Sequence, residues 1–224
     1  MYNLPRQSVP AEIIKIISRE WKNKDLGIQS ITKENLREIE TVCRQIEESV
    51  IPKQFVKKKL PGKIGHGIFL HPKAEPILRD QVIAPYSGTF TIVPQNEQDH
   101  ADYAFDPVTD LHLTKEEQKK YDPKRRFHPK RLYSIKLDAS KVGNFTRFIN
   151  HSEKPNVIAY LVSSKKNPYE IIYFAKKKIN PGEQLLVSYE NEENSYWGPL
   201  GIKPFAMTPK TFRIDSSLKI YTDL

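Results

Sequence analysis

The chain contains a single cysteine, Cys43, among 224 residues. One cysteine excludes an internal disulfide and any cluster of cysteine metal ligands. No apolar stretch approaches the ~20 residues that a helix needs to cross a bilayer. The first ten residues lack a basic segment followed by an apolar one, so no secretory signal peptide is visible. We therefore expect a protein of a reducing compartment, either cytoplasmic or associated with chromatin or a nucleoid. Export to a host cell and its nucleus would not be recognisable from this sequence.

Glycine is scarce as well, with 9 glycines against 17 prolines. After Pro52 these residues divide the chain into short apolar runs, which is typical of short strands joined by rigid turns. Strands are predicted at 67–70, 82–86, 89–93, 132–137, 157–163, 170–179 and 185–189. Residues 97–131 are polar and charged, with one short helix predicted near 114–121. Because strands and long helices do not alternate, the sequence predicts a mainly β architecture of the α+β class.

Two helices are predicted before Pro52, over residues 10–21 and 32–50. Thr32 is the expected N-cap of the second helix, and Glu34 lies in its first turn. Apolar residues then recur at intervals of three and four, which places them on one stripe: Leu36, Ile39, Cys43, Ile46 and Val50. The stripe is short for a coiled coil. It leaves two alternatives, a helical hairpin packed on the main domain or the contact of a homodimer.

The net charge of +9 indicates an acidic partner, of which nucleic acid is the commonest. The alternative is that scattered lysines only keep the protein in solution. Basic residues group locally at 57–59, 124–131 and 176–178.

The most informative stretch runs from Asn144 to Asn156. An apolar run leads directly into three small polar side chains, Asn150, His151 and Ser152. Neither an amphipathic helix nor an alternating strand has this pattern. Because the apolar residues bury the segment, its polar side chains need hydrogen-bond partners in the protein or in a ligand.

Four motifs occur in a fixed order around this stretch. They are Gly65-His66-Gly67-Ile68-Phe69, Tyr86-Ser87-Gly88, Arg147-Phe148-Ile149-Asn150-His151-Ser152 with Pro155-Asn156, and Gly182-Glu183-Gln184-Leu185-Leu186-Val187-Ser188-Tyr189. Together they resemble the signatures of SET-domain protein lysine methyltransferases. The resemblance implies several small sheets in a β-clip with a C-terminal pseudoknot, and S-adenosyl-L-methionine as the cofactor.

The same resemblance assigns roles to individual residues. It makes Tyr189 the catalytic residue, with Tyr133 as a second catalytic candidate. The cofactor-binding residues that it implies are Gly65, His66, Gly67, Arg147, Phe148, Asn150, His151, Tyr189 and Trp197. The residues that it places along the substrate channel are Tyr86, Tyr133, Val187 and Tyr196.

Two departures from the family pattern carry consequences. Glu153 stands where many members have a cysteine that binds zinc, and no cysteine follows Tyr189. We therefore expect no metal, as in the small stand-alone SET proteins of bacteria and viruses. Val187 stands where the family often has phenylalanine or tyrosine, which leaves more room and predicts di- or trimethylation.

The predicted organisation is an N-terminal helical segment (1–52), a SET domain (53–197) with a variable insert (97–131), and a C-terminal segment (198–224). The predicted function is methyl transfer to lysine in histones or histone-like basic proteins, with nucleic acid nearby and no membrane. Two alternatives stay open: a catalytically silent SET fold that serves as a binding module, and a basic nucleic-acid-associated protein.

Overall fold

The computed structural model describes residues 2–6, 9–20, 29–62, 65–95, 103–164 and 169–189. The predictions that concern Trp21, Tyr196, Trp197 and the segment 198–224 lie outside these residues. So does the first part of the insert, at 97–102. No helix in the described ranges is long and apolar enough to span a membrane.

The described chain forms mostly short strands. The helices are α1 (Ala11–Glu20), α2 (Lys33–Glu48) and α3 (Lys115–Tyr121), and a 3-10 helix spans Phe145–Phe148. The strands are β1 (Tyr2–Asn3), β2 (Gln29–Ser30), β3 (Phe55–Lys59), β4 (His66–Leu70), β5 (Val82–Pro85), β6 (Thr89–Pro94), β7 (Ala104–His112), β8 (Leu132–Asp138), β9 (Val142–Gly143), β10 (Asn150–His151), β11 (Val157–Ser163), β12 (Glu170–Ala175) and β13 (Leu186–Val187). The mainly β prediction is confirmed.

The strands build several small sheets rather than one large one. The largest has the order β10-β13-β11-β12-β5, with β2 also paired to β11. β3 and β4 form an antiparallel pair, and β6, β8 and β7 form a three-stranded antiparallel sheet. The sheets meet over a shared apolar cluster that includes Ile68, Tyr86, Phe145 and Val187.

The two N-terminal helices contact the domain at separate places. On α1, Ile13, Ile16 and Ile17 are buried in a cluster with residues of β6, β7 and β8. On α2, Ile39 and Ile46 are buried in two other clusters under the large sheet. Each apolar face is covered by strands, which agrees with the predicted packing of the helices on the main domain. Ile39 and Ile46 are buried within one chain, so these two stripe positions are closed to a partner.

The N-cap prediction for α2 is confirmed in the structure. The Thr32 hydroxyl accepts a hydrogen bond from the backbone N–H of Asn35 at 3.1 Å. This bond satisfies one of the backbone donors that the first turn of a helix leaves free. The predicted short helix also forms, as α3, with Thr114 as its N-cap.

β7 occupies a region that the sequence analysis assigned to a polar insert. Val108 and Leu111 are buried on the inner face of this strand. Its register against β8 shifts twice, between Phe105 and Val108 and between Val108 and Leu111. Because a bulge breaks the period of two that marks a strand, the buried positions did not stand out among charged neighbours.

The extreme N-terminus joins the domain close to the Asn144 stretch. β1 pairs in parallel with β9, and the Pro5 carbonyl accepts a hydrogen bond from Asn144 Nδ2 at 3.4 Å. The Arg6 guanidinium forms a two-pronged ion pair with the buried Glu170 carboxylate, with both N···O distances at 2.8 Å. Burial raises the pKa of Glu170 and the Arg6 partner opposes that shift. Residues 2–6 are therefore part of the domain.

Candidate active site

The Asn144 side chain fixes the start of the segment that carries the central motif. Its Oδ1 accepts from the backbone N–H of Thr146 at 3.0 Å and thereby caps the 3-10 helix. Its Nδ2 donates to the Pro85 carbonyl at 2.7 Å and to Ser87 Oγ at 3.1 Å. Asn144 is fully buried. One amide therefore ties the central motif to the Tyr86-Ser87-Gly88 turn.

Asn150 joins the central motif to the glycine pair. Its Nδ2 donates to the His66 carbonyl at 2.8 Å, between Gly65 and Gly67. Gly65 has φ +84°, a backbone conformation that glycine adopts without strain. A Cβ on Gly67 would lie 2.6 Å from Gln184 Nε2 and 3.2 Å from Asn150 Nδ2. Two amide side chains therefore approach the bare backbone of Gly67.

Gly67→Ala tests this close approach. We expect the free energy of unfolding to fall by about 1–3 kcal/mol, since the new methyl group overpacks against the Gln184 amide. Urea denaturation measures the change. Adding Gln184→Ala to the variant removes the atom that clashes, so the double variant should cost less than the sum of the two single ones. Strict additivity would show that the methyl group meets no obstacle at Gln184.

Tyr189 is held by the segment that it crosses. Asn150 and His151 pair in parallel with Leu186 and Val187, which brings the C-terminal strand alongside the central motif. The backbone N–H of Tyr189 donates to His151 Nδ1 at 3.0 Å, and the Tyr189 hydroxyl donates to the Ile149 carbonyl at 2.9 Å. Because Nδ1 accepts, His151 is neutral in this arrangement.

Asn156 locks the same crossing from the other side. Its Nδ2 donates to the Gln184 carbonyl at 2.8 Å, and its Oδ1 accepts from the Leu186 N–H at 2.8 Å. The residue is fully buried. The motif around Asn150 therefore holds the strand that leads to Tyr189 at both ends, as a pseudoknot requires.

Two cations lie close to the ring of Phe148. Lys57 Nζ is 4.4 Å from the centre of the Phe148 ring, and the Arg147 guanidinium carbon is 4.8 Å from it. The His66 ring meets Phe148 edge-on, with centroids 6.1 Å apart. Lys57 pairs with Ile68, and Lys59 pairs with His66, so one face of the β3–β4 pair presents Lys57, Lys59 and His66 together.

On this face the charge of Lys57 is poorly solvated. Lys57 is only 7% exposed. Its pKa is lowered mainly by burial and further by repulsion from Arg147. The pKa of His66 is lowered by burial and by the charges of Lys57 and Lys59. No Asp or Glu of the described ranges contributes to either pKa shift or forms an ion pair with Lys57. The lysine charge is therefore offset by a ring face and by no described carboxylate.

Lys57 was not among the residues predicted for the site. In the sequence it is one of three consecutive lysines, which usually mark a solvated surface. The apolar pair Phe55-Val56 immediately before it was the available signal, because it continues into a strand with alternating faces.

Tyr86 lies in the same apolar cluster as Ile149, Val187 and Tyr189. Its hydroxyl donates to the Tyr103 carbonyl at 2.7 Å, and its ring meets those of Phe105 and Tyr173 edge-on. Burial, chiefly, raises the pKa of Tyr86 far above its ordinary value, so this phenol stays protonated.

Tyr133 is not brought to this site. It is fully buried in the separate cluster under α1, with Val108 and Leu111 as neighbours. Its hydroxyl donates to Asp122 Oδ2 at 3.2 Å. The catalytic and channel roles of Tyr133 therefore stay predictions that its packing does not support. Leu137, four residues later on β8, belongs to the cluster around Tyr189.

Comparison with known proteins gives this arrangement a family. A family model described as SET domain matches residues 65–190, more than half of the chain. The chain belongs to the SET-domain family. The SET match begins at Gly65 and includes all of the motifs that meet around Asn150.

Curated relatives match a similar share of the chain. The H3 lysine-9 specific histone-lysine N-methyltransferase SUVH1 of Nicotiana tabacum is 30% identical over 118 residues, covering 51% of this SET protein and 16% of the relative. Histone-lysine N-methyltransferase SETD1B of Xenopus tropicalis is 28% identical over 141 residues, covering 61% and 6%. This SET chain therefore spans less than a fifth of the length of either relative.

A solved structure described as KRYPTONITE in complex with mCHH DNA, H3(1-15) peptide and SAH is also similar. It shares 22% identity and a TM-score of 0.42, covering 66% of this SET chain and 25% of that one. At that score we draw nothing further from the match.

Proposed function

We propose that this protein is an S-adenosyl-L-methionine-dependent protein-lysine N-methyltransferase. One observation carries the proposal: the glycine pair, Asn150-His151 and Tyr189 converge through direct hydrogen bonds. These are the residues to which the resemblance assigns cofactor binding and catalysis. Tyr196 and Trp197 remain predicted to complete the channel and the cofactor pocket.

The described residues suit the proposed cofactor. A Cβ on Gly65 would meet no atom within 4 Å, so the backbone there leaves room for a ligand, and the buried cation at Lys57 matches a ligand with a carboxylate. We propose that Lys57, together with Arg147, binds the carboxylate of the amino-acid portion of the cofactor. The side chains of His66 and Phe148 would line the same pocket as Lys57 and Arg147.

When bound, the cofactor supplies an electrophilic methyl group on a sulfonium. The chain has three tasks. It must hold the acceptor amine in line, which is a problem of proximity and orientation. It must favour the neutral amine, whose ordinary pKa is ~10.4, and an apolar channel does so because burial disfavours the ammonium form. It must also place a polar oxygen beside the transferred carbon, and we assign that oxygen to Tyr189.

Lys57→Met should separate ligand binding from stability. We expect cofactor affinity to fall about tenfold or more, because a charge-assisted hydrogen bond is lost. We expect the free energy of unfolding at neutral pH to stay the same or rise, since a poorly solvated charge is replaced by an apolar side chain of similar length. Calorimetric titration and urea denaturation measure the two effects. Lys59→Met is the matched control, because Lys59 lies on the same face of β3 but is exposed.

The same residue predicts a pH dependence with a defined sign. Because the folded-state pKa of Lys57 is lowered, its ammonium loses charge below the ordinary value of 10.5. Cofactor affinity should therefore fall as pH rises through that lowered pKa. The stability cost of the charge disappears over the same range, so wild type should gain stability relative to Lys57→Met. In Lys57→Arg the affinity should hold to higher pH. A profile identical to that of wild type would remove Lys57 from the site.

We propose a histone or a histone-like basic protein as the substrate. The support is the named activity of the relatives and the net charge of the chain, which suits a substrate presented on nucleic acid. Incubation with tritium-labelled cofactor and histones tests the function, with Tyr189→Phe as the negative control. Cofactor binding without transfer to any basic protein would favour the silent binding module. The absence of both would end the proposal.

Val187 predicts how many methyl groups the product lysine carries. It is 1% exposed, and it pairs with His151 one residue beyond the Asn150 crossing. A valine offers no hydroxyl, so we expect di- or trimethylated lysine in mass spectra of the product. Val187→Tyr should shift the products toward monomethylation, whereas Val187→Ile, which adds one methylene and no hydroxyl, should not. A wild-type enzyme that stops at one methyl group would contradict this prediction.

A further inference from the structure

The loop after α3 concentrates positive charge on an exposed surface. Residues 123–131, called here the basic loop, contain five cations: Lys124, Arg125, Arg126, Lys130 and Arg131. All but Arg131 are exposed. The neighbouring carboxylate is Asp122, which lies 3.5 Å from Arg131 Nη1 and 4.0 Å from Arg125 Nε. Lys124, Arg126 and Lys130 form no ion pair with any described residue.

An aromatic ring stands in the middle of these charges. Phe127 is 42% exposed, which makes it one of the few large apolar side chains that face solvent in the described ranges. A phenylalanine that contributes to a core would be buried, so its exposure between Arg126 and His128 needs another explanation. Cations that alternate with an exposed ring match a ligand that carries both phosphates and flat bases.

The basic loop is held in one conformation from beneath. Gln118 is 2% exposed, and its side chain grips the backbone of His128, donating to the carbonyl at 2.9 Å and accepting from the N–H at 3.1 Å. The Arg131 N–H closes a turn onto the His128 carbonyl at 3.2 Å. The loop is thus ordered before any ligand arrives, and less conformational entropy is lost on binding.

We propose that the basic loop binds the phosphate backbone of nucleic acid, with Phe127 stacked on an unpaired base. Arginine suits phosphate because its planar fork can donate two parallel hydrogen bonds to two phosphate oxygens. An anionic membrane usually takes a longer amphipathic helix with several apolar anchors, whereas this loop offers one ring. The proposal does not depend on methyl transfer, and its test measures none.

Fluorescence anisotropy with single-stranded and duplex oligonucleotides tests the proposal. The triple variant K124Q/R126Q/K130Q removes three exposed cations of the loop. The matched control K176Q/K177Q/K178Q removes three exposed lysines at the end of β12 and changes the net charge equally. We plot log affinity against log salt concentration between about 50 and 200 mM. The magnitude of the slope should be smaller by roughly 2 to 3 in the loop variant than in wild type, and the control should keep most of the wild-type slope.

Phe127 provides an independent readout. Phe127→Ala should weaken single-stranded binding about tenfold and leave duplex binding nearly unchanged, because a paired base is already stacked. Since the ring is exposed, thermal melting should show no loss of fold. Equal losses in the two triple variants would mean that only net charge matters and would overturn the proposal. So would binding to phosphatidylserine vesicles that depends on the loop while nucleic-acid binding does not.

Discussion

Asn156→Ala should lower the free energy of unfolding by about 4 kcal/mol. The buried Gln184 carbonyl and the buried Leu186 N–H each lose their partner on the Asn156 side chain. A buried polar group left without a partner costs about 1–3 kcal/mol, and the lost packing adds to that. Urea denaturation monitored by far-ultraviolet circular dichroism measures the change.

Asn180→Ala is the control for that loss. Asn180 is exposed, and its side-chain amide reaches Glu183 Oε1 at 3.3 Å. The expected change is within about 0.5 kcal/mol, as for most surface substitutions. If the two asparagine variants were equally stable, the crossing of β10 and β13 would not depend on the Asn156 amide, and the pseudoknot would need another lock.

Tyr189→Phe should reduce kcat by about 100-fold or more while the fold is kept. The hydroxyl donates its hydrogen to the Ile149 carbonyl, which fixes the direction in which the lone pairs of its oxygen point. An oriented polar group beside a reacting atom is typically worth 10²–10³ in rate. Its loss from a partly buried site should cost only about 1 kcal/mol of stability.

Tyr160→Phe is the matched control, since Tyr160 is a partly exposed tyrosine of β11 whose ring packs on Phe174. Steady-state kinetics with a histone substrate, together with calorimetric titration of the cofactor, separate the two effects. We expect kcat to fall only in Tyr189→Phe and cofactor affinity to stay near wild type in both variants. A fall in affinity with kcat unchanged would make Tyr189 a binding residue instead of a catalytic one.

The convergence of Asn150, His151 and Tyr189 was anticipated through the resemblance to SET domains. Spacing within each contiguous motif does not by itself bring the two motifs together. The strand at 157–163 was also predicted with its observed bounds, because its apolar residues are unbroken by charge.

Features that depend on which face a strand presents were harder to anticipate. Tyr133 and Leu137 lie on the same face of β8, yet they belong to two different clusters because α1 covers only one end of that face. Lys57 is the opposite case. Its charge indicates an exposed side chain, whereas in the structure the β3–β4 pair places it against Phe148 and buries it. Neither outcome follows from a period of two alone.

The attachment of residues 2–6 has a consequence for dissecting the protein. A fragment trimmed to the matched boundaries at 65 and 190 would strip Glu170 of its guanidinium and take the Pro5 acceptor from Asn144. It would also uncover the apolar residues beneath α2. The smallest unit that we expect to fold on its own is consequently larger than the region that matches the family model.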